Sequence, residues 1–224
     1  MRSQLYKISK NKQQKLRALL SSSFIIGGSP CSGKSTIAAR LSEELELPYY
    51  KVDDHERRHI EKANKQDHPT MVAYGQMSWD KIWSRPVNLQ LVEEFAFYRE
   101  RFDIILDDLN NYTNKETIIM EGAAFLPSLI HSWDVPANKA FFLIPTIEFQ
   151  VEHYLRRPWI KSILGSCKDP QQAFTKWMER DHLFGKEIIR QAQKYNYSYA
   201  IVDGNSTKEI LFRKVKNHFD SALN

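Results

Sequence analysis

Apolar positions along the chain follow two rhythms. Five short apolar runs end in glycine or polar residues: "SFIIGG" (23–28), "PYYKVDD" (48–54), "ETIIMEG" (116–122), "KAFFLIPT" (139–146) and "YSYAIVDG" (197–204). Runs this short, bounded by glycine or polar residues, read as buried strands. Between them the apolar residues recur at helical spacing. "KSTIAARLSEEL" carries Ile37, Leu41 and Leu45 on one face, and "NLQLVEEFAFYRERFDIILDDL" carries Leu91, Phe95, Tyr98, Phe102 and Ile105. A third helix, "DPQQAFTKWMERDHLFGKEIIRQAQKYN", opens on Asp169-Pro170, a cap followed by a first-turn proline. "STKEILFRKVKNHF" opens on Ser206-x-x-Glu209, the pattern of a capping box. Strand alternating with helix predicts an α/β fold with a five-stranded parallel sheet flanked by helices. At 224 residues the chain suits a single domain spanning 1–224.

In open parallel sheets ligands bind beyond the carboxyl ends of the strands. Asp53, Asp54, Glu121 and Asp203 stand at those ends. Residues 55–87 break the alternation and read as a helical insertion between strands two and three. The insertion holds Arg57, Arg58, His59, His68, Trp79, Trp83 and Arg85. As a substrate cover it would offer aromatic walls and cations; one helical turn separates Trp79 from Trp83, so core packing is the simpler reading of that pair. Within it "NKQD" (64–67) matches a guanine-reading motif. It follows a helical stretch too early in the chain for that role, and no D-x-x-G partner accompanies it, so it reads as a polar helix end.

The first strand runs into "GSPCSGKST". Gly28, Gly33, Lys34 and Ser35 match G-x-x-x-x-G-K-[ST]. The small residues of Gly28, Ser29, Pro30, Cys31, Ser32 and Gly33 let backbone N–H groups turn inward around a polyphosphate. The helix beginning near Lys34, with Ser35 and Thr36 in its first turn, aims its free amides at the same anion. Lys34 would reach the β- and γ-phosphates, and the Ser35 hydroxyl would bind Mg²⁺. ATP and Mg²⁺ are the cofactors this loop predicts.

Charge changes the picture little. The chain is +5 overall, with 32 basic and 27 acidic residues. Six of the basic residues (Arg2, Lys7, Lys10, Lys12, Lys15 and Arg17) lie in the first twenty positions, where there is no acid. The rest of the chain is near neutral. Leu5, Ile8, Leu16, Leu19 and Leu20 make residues 1–21 a basic amphipathic helix, read as packed on the core edge rather than as a nucleic-acid arm. The composition therefore does not call for a nucleic-acid partner. No apolar run approaches the length of a membrane span and no secretory signal precedes the core, which predicts no membrane partner. With two cysteines, Cys31 and Cys167, a cytoplasmic protein is expected. The seven histidines show no H-x-x-x-H or H-E-x-x-H spacing, so no structural metal is expected.

Taken in order, these features resemble the P-loop small-molecule kinases: nucleoside monophosphate kinases, shikimate and gluconate kinases, and chloramphenicol phosphotransferase. "GGSPCSGKST" resembles their phosphate loop and "KVDD" their second strand ending in an acid. "IIMEGA" stands where their third strand often ends in Asp-Gly, here replaced by Glu121-Gly122. "VEHYLRRPW" resembles a lid carrying arginines, "MERDHLFG" the arginine-bearing helix after it, and "VDGNSTKEI" the last strand and the loop beside the adenine. The resemblance implies a three-layer sandwich with strand one between strands three and four, a lid over 150–168, and a helical substrate-binding insertion. It implies transfer of the γ-phosphoryl group of ATP to a small hydroxyl-bearing acceptor. Lys34, Asp53, Arg156 and Arg157 would be catalytic. Mg²⁺ would be held by Ser35 with Asp53 or Glu121 through water, and the acceptor by Asp54, Arg57, Arg58 and Arg85. "VDDHERRH" replaces the GD-x-x-R segment of many monophosphate kinases, which favours a hydroxyl acceptor. A nucleotide or nucleoside monophosphate kinase, or a non-catalytic ATP-binding regulatory module, remains open at this stage. The acceptor's identity and the oligomeric state have no signature here.

Overall fold

The computed structural model describes residues 9–220. All five apolar runs become parallel strands: β1 (Phe24–Gly28), β2 (Tyr49–Lys51), β3 (Ile119–Glu121), β4 (Ala140–Pro145) and β5 (Ser198–Val202). Their order across the sheet is β2-β3-β1-β4-β5, so strand one lies between three and four as expected. Ile26 of β1 stands opposite Glu121 on one side and Phe141 on the other. Every residue of central β1 is buried. A strand covered on both faces has no solvent-facing position to alternate with, which is why it reads as one apolar run.

Eleven helices surround the sheet: α1 (Lys10–Ser22), α2 (Lys34–Leu45), α3 (Glu56–Lys62), α4 (Pro69–Gly75), α5 (Trp79–Ser84), α6 (Val87–Leu109), α7 (Pro127–Ser132), α8 (Ile147–Leu155), α9 (Pro158–Gly165), α10 (Pro170–Lys194) and α11 (Lys208–Asp220), counted among the described residues. Strand side chains alternate between faces. Phe24, Ile26 and Leu143 pack with Ile37 and Leu41 of α2 and Phe212 and Val215 of α11. Ile25, Met120 and Phe142 pack on the other face with Leu16 and Leu20 of α1, Phe102 and Ile105 of α6, and Phe184 and Ile188 of α10. The result is the expected three-layer α/β sandwich.

The basic N-terminal segment belongs to the second of these cores. Leu16, Leu19 and Leu20 are buried, Lys12 pairs with Asp107 at 2.7 Å, and Arg17 pairs with Asp134 and lies over the Trp133 ring. Arg2, Leu5, Lys7 and Ile8 lie outside the described residues. In the insertion, "NKQD" forms an Asx turn in which Asn64 Oδ1 accepts from the N–H groups of Gln66 and Asp67. A separate apolar cluster joins α5, α9 and α10 through Ile82, Trp83, Ile160, Cys167, Ala173 and Trp177. The insertion and residues of α9 and α10 therefore share one small core.

Two helix starts can be compared with expectation. Asp169 caps α10, its Oδ1 accepting from Gln172 N at 2.9 Å. The capping box at Ser206 does not form. Thr207 caps α11 instead, accepting from Ile210 N at 3.2 Å, which puts Ile210 rather than Glu209 at the third helical position. Glu209 is drawn to Arg40 at 2.5 Å and Arg213 at 2.9 Å.

Gly28 closes β1 at φ +118°, and a Cβ built there would stand 2.1 Å from the backbone oxygen of Leu143. Backbone in the neighbouring strand has no room to yield. Gly28→Ala is expected to lower stability by about 3 kcal/mol or more, combining overpacking with an unfavourable φ. Urea denaturation followed by circular dichroism checks this; an unchanged midpoint would contradict the close approach of β1 and β4.

Candidate active site

The phosphate loop leaves β1 and enters α2 through three residues in the left-handed region, Gly28, Cys31 and Gly33, at φ +118°, +61° and +81°. The loop is held to the sheet and to α10. Ser29 N donates to Leu143 O at 3.0 Å, and Ser29 Oγ donates to Asp181 O at 3.2 Å. Lys34 is buried, and its Nζ donates to Ser29 O at 2.7 Å and to Ser32 Oγ at 3.4 Å. Burial lowers its pKa, an effect opposed by the charges of Glu121 and Asp53. A buried ammonium whose hydrogen-bond partners are neutral oxygens is suited to an added anion. Burial likewise pushes the Cys31 thiol up to about 11, so it is no thiolate nucleophile.

Beside the loop, Ser35 Oγ donates to Glu121 Oε2 at 3.1 Å, and the Tyr49 hydroxyl donates to the same oxygen at 3.3 Å. Glu121 is buried at the end of β3, and burial raises its pKa against the pull of Lys34. These hard oxygen donors suit Mg²⁺, which keeps several of its waters and needs few protein ligands. No group of three or more His, Cys, Asp or Glu side chains is placed to hold a metal among the described residues.

Next to the loop lies a cleft of about 480 Å³. The loop contributes Pro30, the turn after β2 contributes Asp53, and α5, α6, α9 and α10 supply the walls. Asp53 and Asp54 do not continue the strand. Both sit on a 3₁₀ turn, Val52–His55, so strand alternation does not govern their directions. Both are exposed; Asp53 lines the cleft, while Asp54 pairs with Lys51 at 2.7 Å. Arg101, buried in α6, clamps this turn. Its Nη2 donates to Val52 O at 2.8 Å, Nη1 to Glu56 at 3.2 Å, and Nε to His59 Nδ1 at 3.1 Å. Burial pushes His59 down to about 4, so the ring is neutral and its Nε2–H donates to Asp108 at 2.7 Å.

The arginines expected at the site separate. Arg157 lines the cleft, its Cζ 5.1 Å from the Tyr154 ring centroid and 5.5 Å from that of Trp159. Arg85 also lines it, paired with Glu93. Arg156 is exposed and pairs with Glu152 one helical turn back. Arg57 is exposed with Glu61 as partner at 3.3 Å, and Arg58 turns to Asp108. Asp54, Arg57, Arg58 and Arg156 are not among the residues lining the cleft, and each has an oppositely charged neighbour: Lys51, Glu61, Asp108 and Glu152.

Glu94 carried no signal of its own, and Arg180 only its place in "MERDHLFG". Glu94 of α6 and Arg180 of α10 form a buried pair, with Asp181 2.6 Å from the same guanidinium. Burial raises the Glu94 pKa to about 7, against the pull of Arg180. A usable sign lies in α6, where Gln90, Glu94, Arg101 and Asp108 fall at helical spacing one position back from the apolar stripe, and all are buried. A polar stripe flanking an apolar one marks a helix that borders a cleft.

No family model matches the chain, and no curated protein matches it. Among solved structures it is similar to the shikimate kinase from Acinetobacter baumannii in complex with shikimate, at 14% identity and a TM-score of 0.43, over 94% of this chain and 98% of that one. It is also similar to the shikimate kinase from Aquifex aeolicus, at 18% identity and a TM-score of 0.42, over 90% and 98%. Likeness at this level carries no argument about activity. The kinase-like P-loop fold rests on the chain's own sheet order and phosphate loop.

Proposed function

We propose that the protein transfers the γ-phosphoryl group of ATP to a small hydroxyl-bearing acceptor. One observation carries the reading: a buried lysine in a phosphate loop adjoins a cleft lined by a carboxylate, Asp53, and a guanidinium, Arg157. The acceptor oxygen attacks the γ-phosphorus; a new O–P bond forms as the bond to the β,γ-bridging oxygen breaks, and ADP leaves. The hydroxyl proton passes to Asp53. The transition state is loose, so that transfer is late and a weak base suffices. Mg²⁺ on the Ser35 hydroxyl would supply neutralisation of phosphate charge. Lys34 holds the phosphates from within the loop. Arg157 is fixed over two aromatic rings, and its charge bears on Cys31 of the loop, a position suited to the transferring group. The shared core of α5, α9 and α10 roofs the cleft and keeps out water, the competing acceptor.

The test is incubation with γ-labelled ATP, Mg²⁺ and pooled metabolites, followed by mass spectrometry of labelled products. A labelled phosphomonoester that disappears when the protein is omitted is expected. ATP binding with no acceptor labelled would favour a non-catalytic ATP-binding module, and no ATP binding would overturn the reading.

A further inference from the structure

The charges of the cleft restrict what can enter it. Arginine is the side chain best suited to capture a carboxylate or phosphate. Four arginines line the cleft. Arg85 is paired with Glu93, Arg101 is bonded to Glu56 and Val52 O, and Arg180 is held between Glu94 and Asp181. Arg157 remains, and the proposed transfer assigns it to the phosphoryl group. An anionic acceptor would have to break an internal pair or bury its own charge unpaired. A cationic acceptor fares no better at Glu56, Glu93 and Glu94, which are the partners of those same arginines, and the remaining cleft carboxylate, Asp53, is assigned by the proposed transfer to the acceptor hydroxyl.

The other surfaces are aromatic and neutral. Trp79 of α5 and Trp159 of α9 line the cleft from the insertion and from the lid segment, and are 41% and 44% exposed. Their rings offer flat apolar area at the cleft, where a planar ligand gains both burial and stacking. Deeper in the wall, Trp83 Nε1, Trp177 Nε1 and Gln90 Oε1 are buried polar atoms without a hydrogen-bond partner. These atoms are closed off from the cleft, so recognition of a ligand falls to the exposed rings of Trp79 and Trp159.

We infer that the acceptor is a neutral molecule with a planar, largely apolar body and a free hydroxyl. Trp79 and Trp159 cover the body, and the hydroxyl faces Asp53. The fate of that hydroxyl rests on the phosphotransferase reading; recognition of the body does not. Neutral nucleosides and aryl diols share this chemistry, so both enter the test.

Two measurements separate the claims. First, intrinsic tryptophan fluorescence is titrated with adenosine, cytidine and 1-phenylpropane-1,3-diol, against AMP, CMP and shikimate as anionic compounds and glycerol as a neutral one without a ring. At least one neutral ringed compound is expected to bind tenfold or more tighter than the anions and glycerol. Trp79→Ala and Trp159→Ala should each weaken that compound tenfold or more, and Trp79→Phe, which keeps a ring, should hold it within threefold. Adenosine or cytidine as the binder identifies a nucleoside source, and the diol an aryl one. Tighter binding of an anion, equal binding of glycerol, no binding by any neutral ringed compound, or insensitivity to both alanine variants overturns the inference. Second, the bound compound is offered with γ-labelled ATP. Label appearing on it supports both readings; saturable binding without any label leaves the neutral-ligand assignment standing and counts against phosphoryl transfer.

Discussion

Lys34→Ala is expected to abolish phosphoryl transfer, lowering kcat by about a thousandfold or more, while the fold persists. The loss is kinetic because the ammonium acts on charge at the transferring phosphate. Removing one preorganised electrostatic contact of this kind costs on the order of 10²–10³ in rate, and more where the same group also positions the substrate. Stability should hardly suffer. Lys34 is buried, with neutral partners at Ser29 O and Ser32 Oγ, and burial disfavours its charged form. Folding therefore gains little from that charge, and the variant's thermal midpoint should match or exceed that of the parent. Lys34→Arg should not rescue activity, since a planar fork does not replace a compact ammonium inside so tight a loop. Steady-state kinetics with calorimetry checks the pair of outcomes. Near-parental turnover in Lys34→Ala would remove the phosphate-loop assignment.

Asp53→Asn should lower kcat by roughly 10²–10⁴, the range for loss of a positioned general base. ATP affinity should change only modestly, because the residue stands on the cleft side of the loop. Asp54→Asn serves as the contrast. The 3₁₀ turn sends Asp54 outward to Lys51, so kcat and acceptor KM are expected within about twofold of the parent. Adjacent carboxylates thus separate by direction alone. Measuring kcat and KM for both variants with the labelled acceptor decides between them; a collapse in Asp54→Asn with Asp53→Asn unaffected would reverse the roles.

The phosphate loop was legible because its chemistry is local. Small residues, three left-handed positions and a lysine at the helix start are all set within nine consecutive residues, Gly28 to Thr36. The central strands β1 and β4 were legible because, covered on both faces, they leave no polar position inside them. The acceptor side was not legible in the same way. Arg57 and Arg58 were expected at the site as cations of the insertion, and Arg156 as an arginine of a lid-like segment, yet each lies beside a carboxylate and none lines the cleft. Arg101 and Glu94 do line the cleft, and they come from the middle of a long helix where sequence offers only spacing; Arg180 lines it as well, on the helix whose "MERDHLFG" carries the resemblance.

By itself, then, the sequence determined the α/β architecture, the phosphate loop with Lys34 and Ser35, and an acid at the end of each of the second and third strands. Local sterics, hydrophobic periodicity and backbone conformation act over a few residues and leave a readable trace. Only the tertiary structure decided which charges remain available to a ligand. An arginine is free or spent according to whether a carboxylate from a distant helix reaches it, as Glu94 of α6 reaches Arg180 of α10. The same holds for Trp79 and Trp83, one turn apart on α5: packing against Trp177 buries the second and leaves the first open at the cleft. Pair formation across the fold depends on distances that spacing along the chain does not encode.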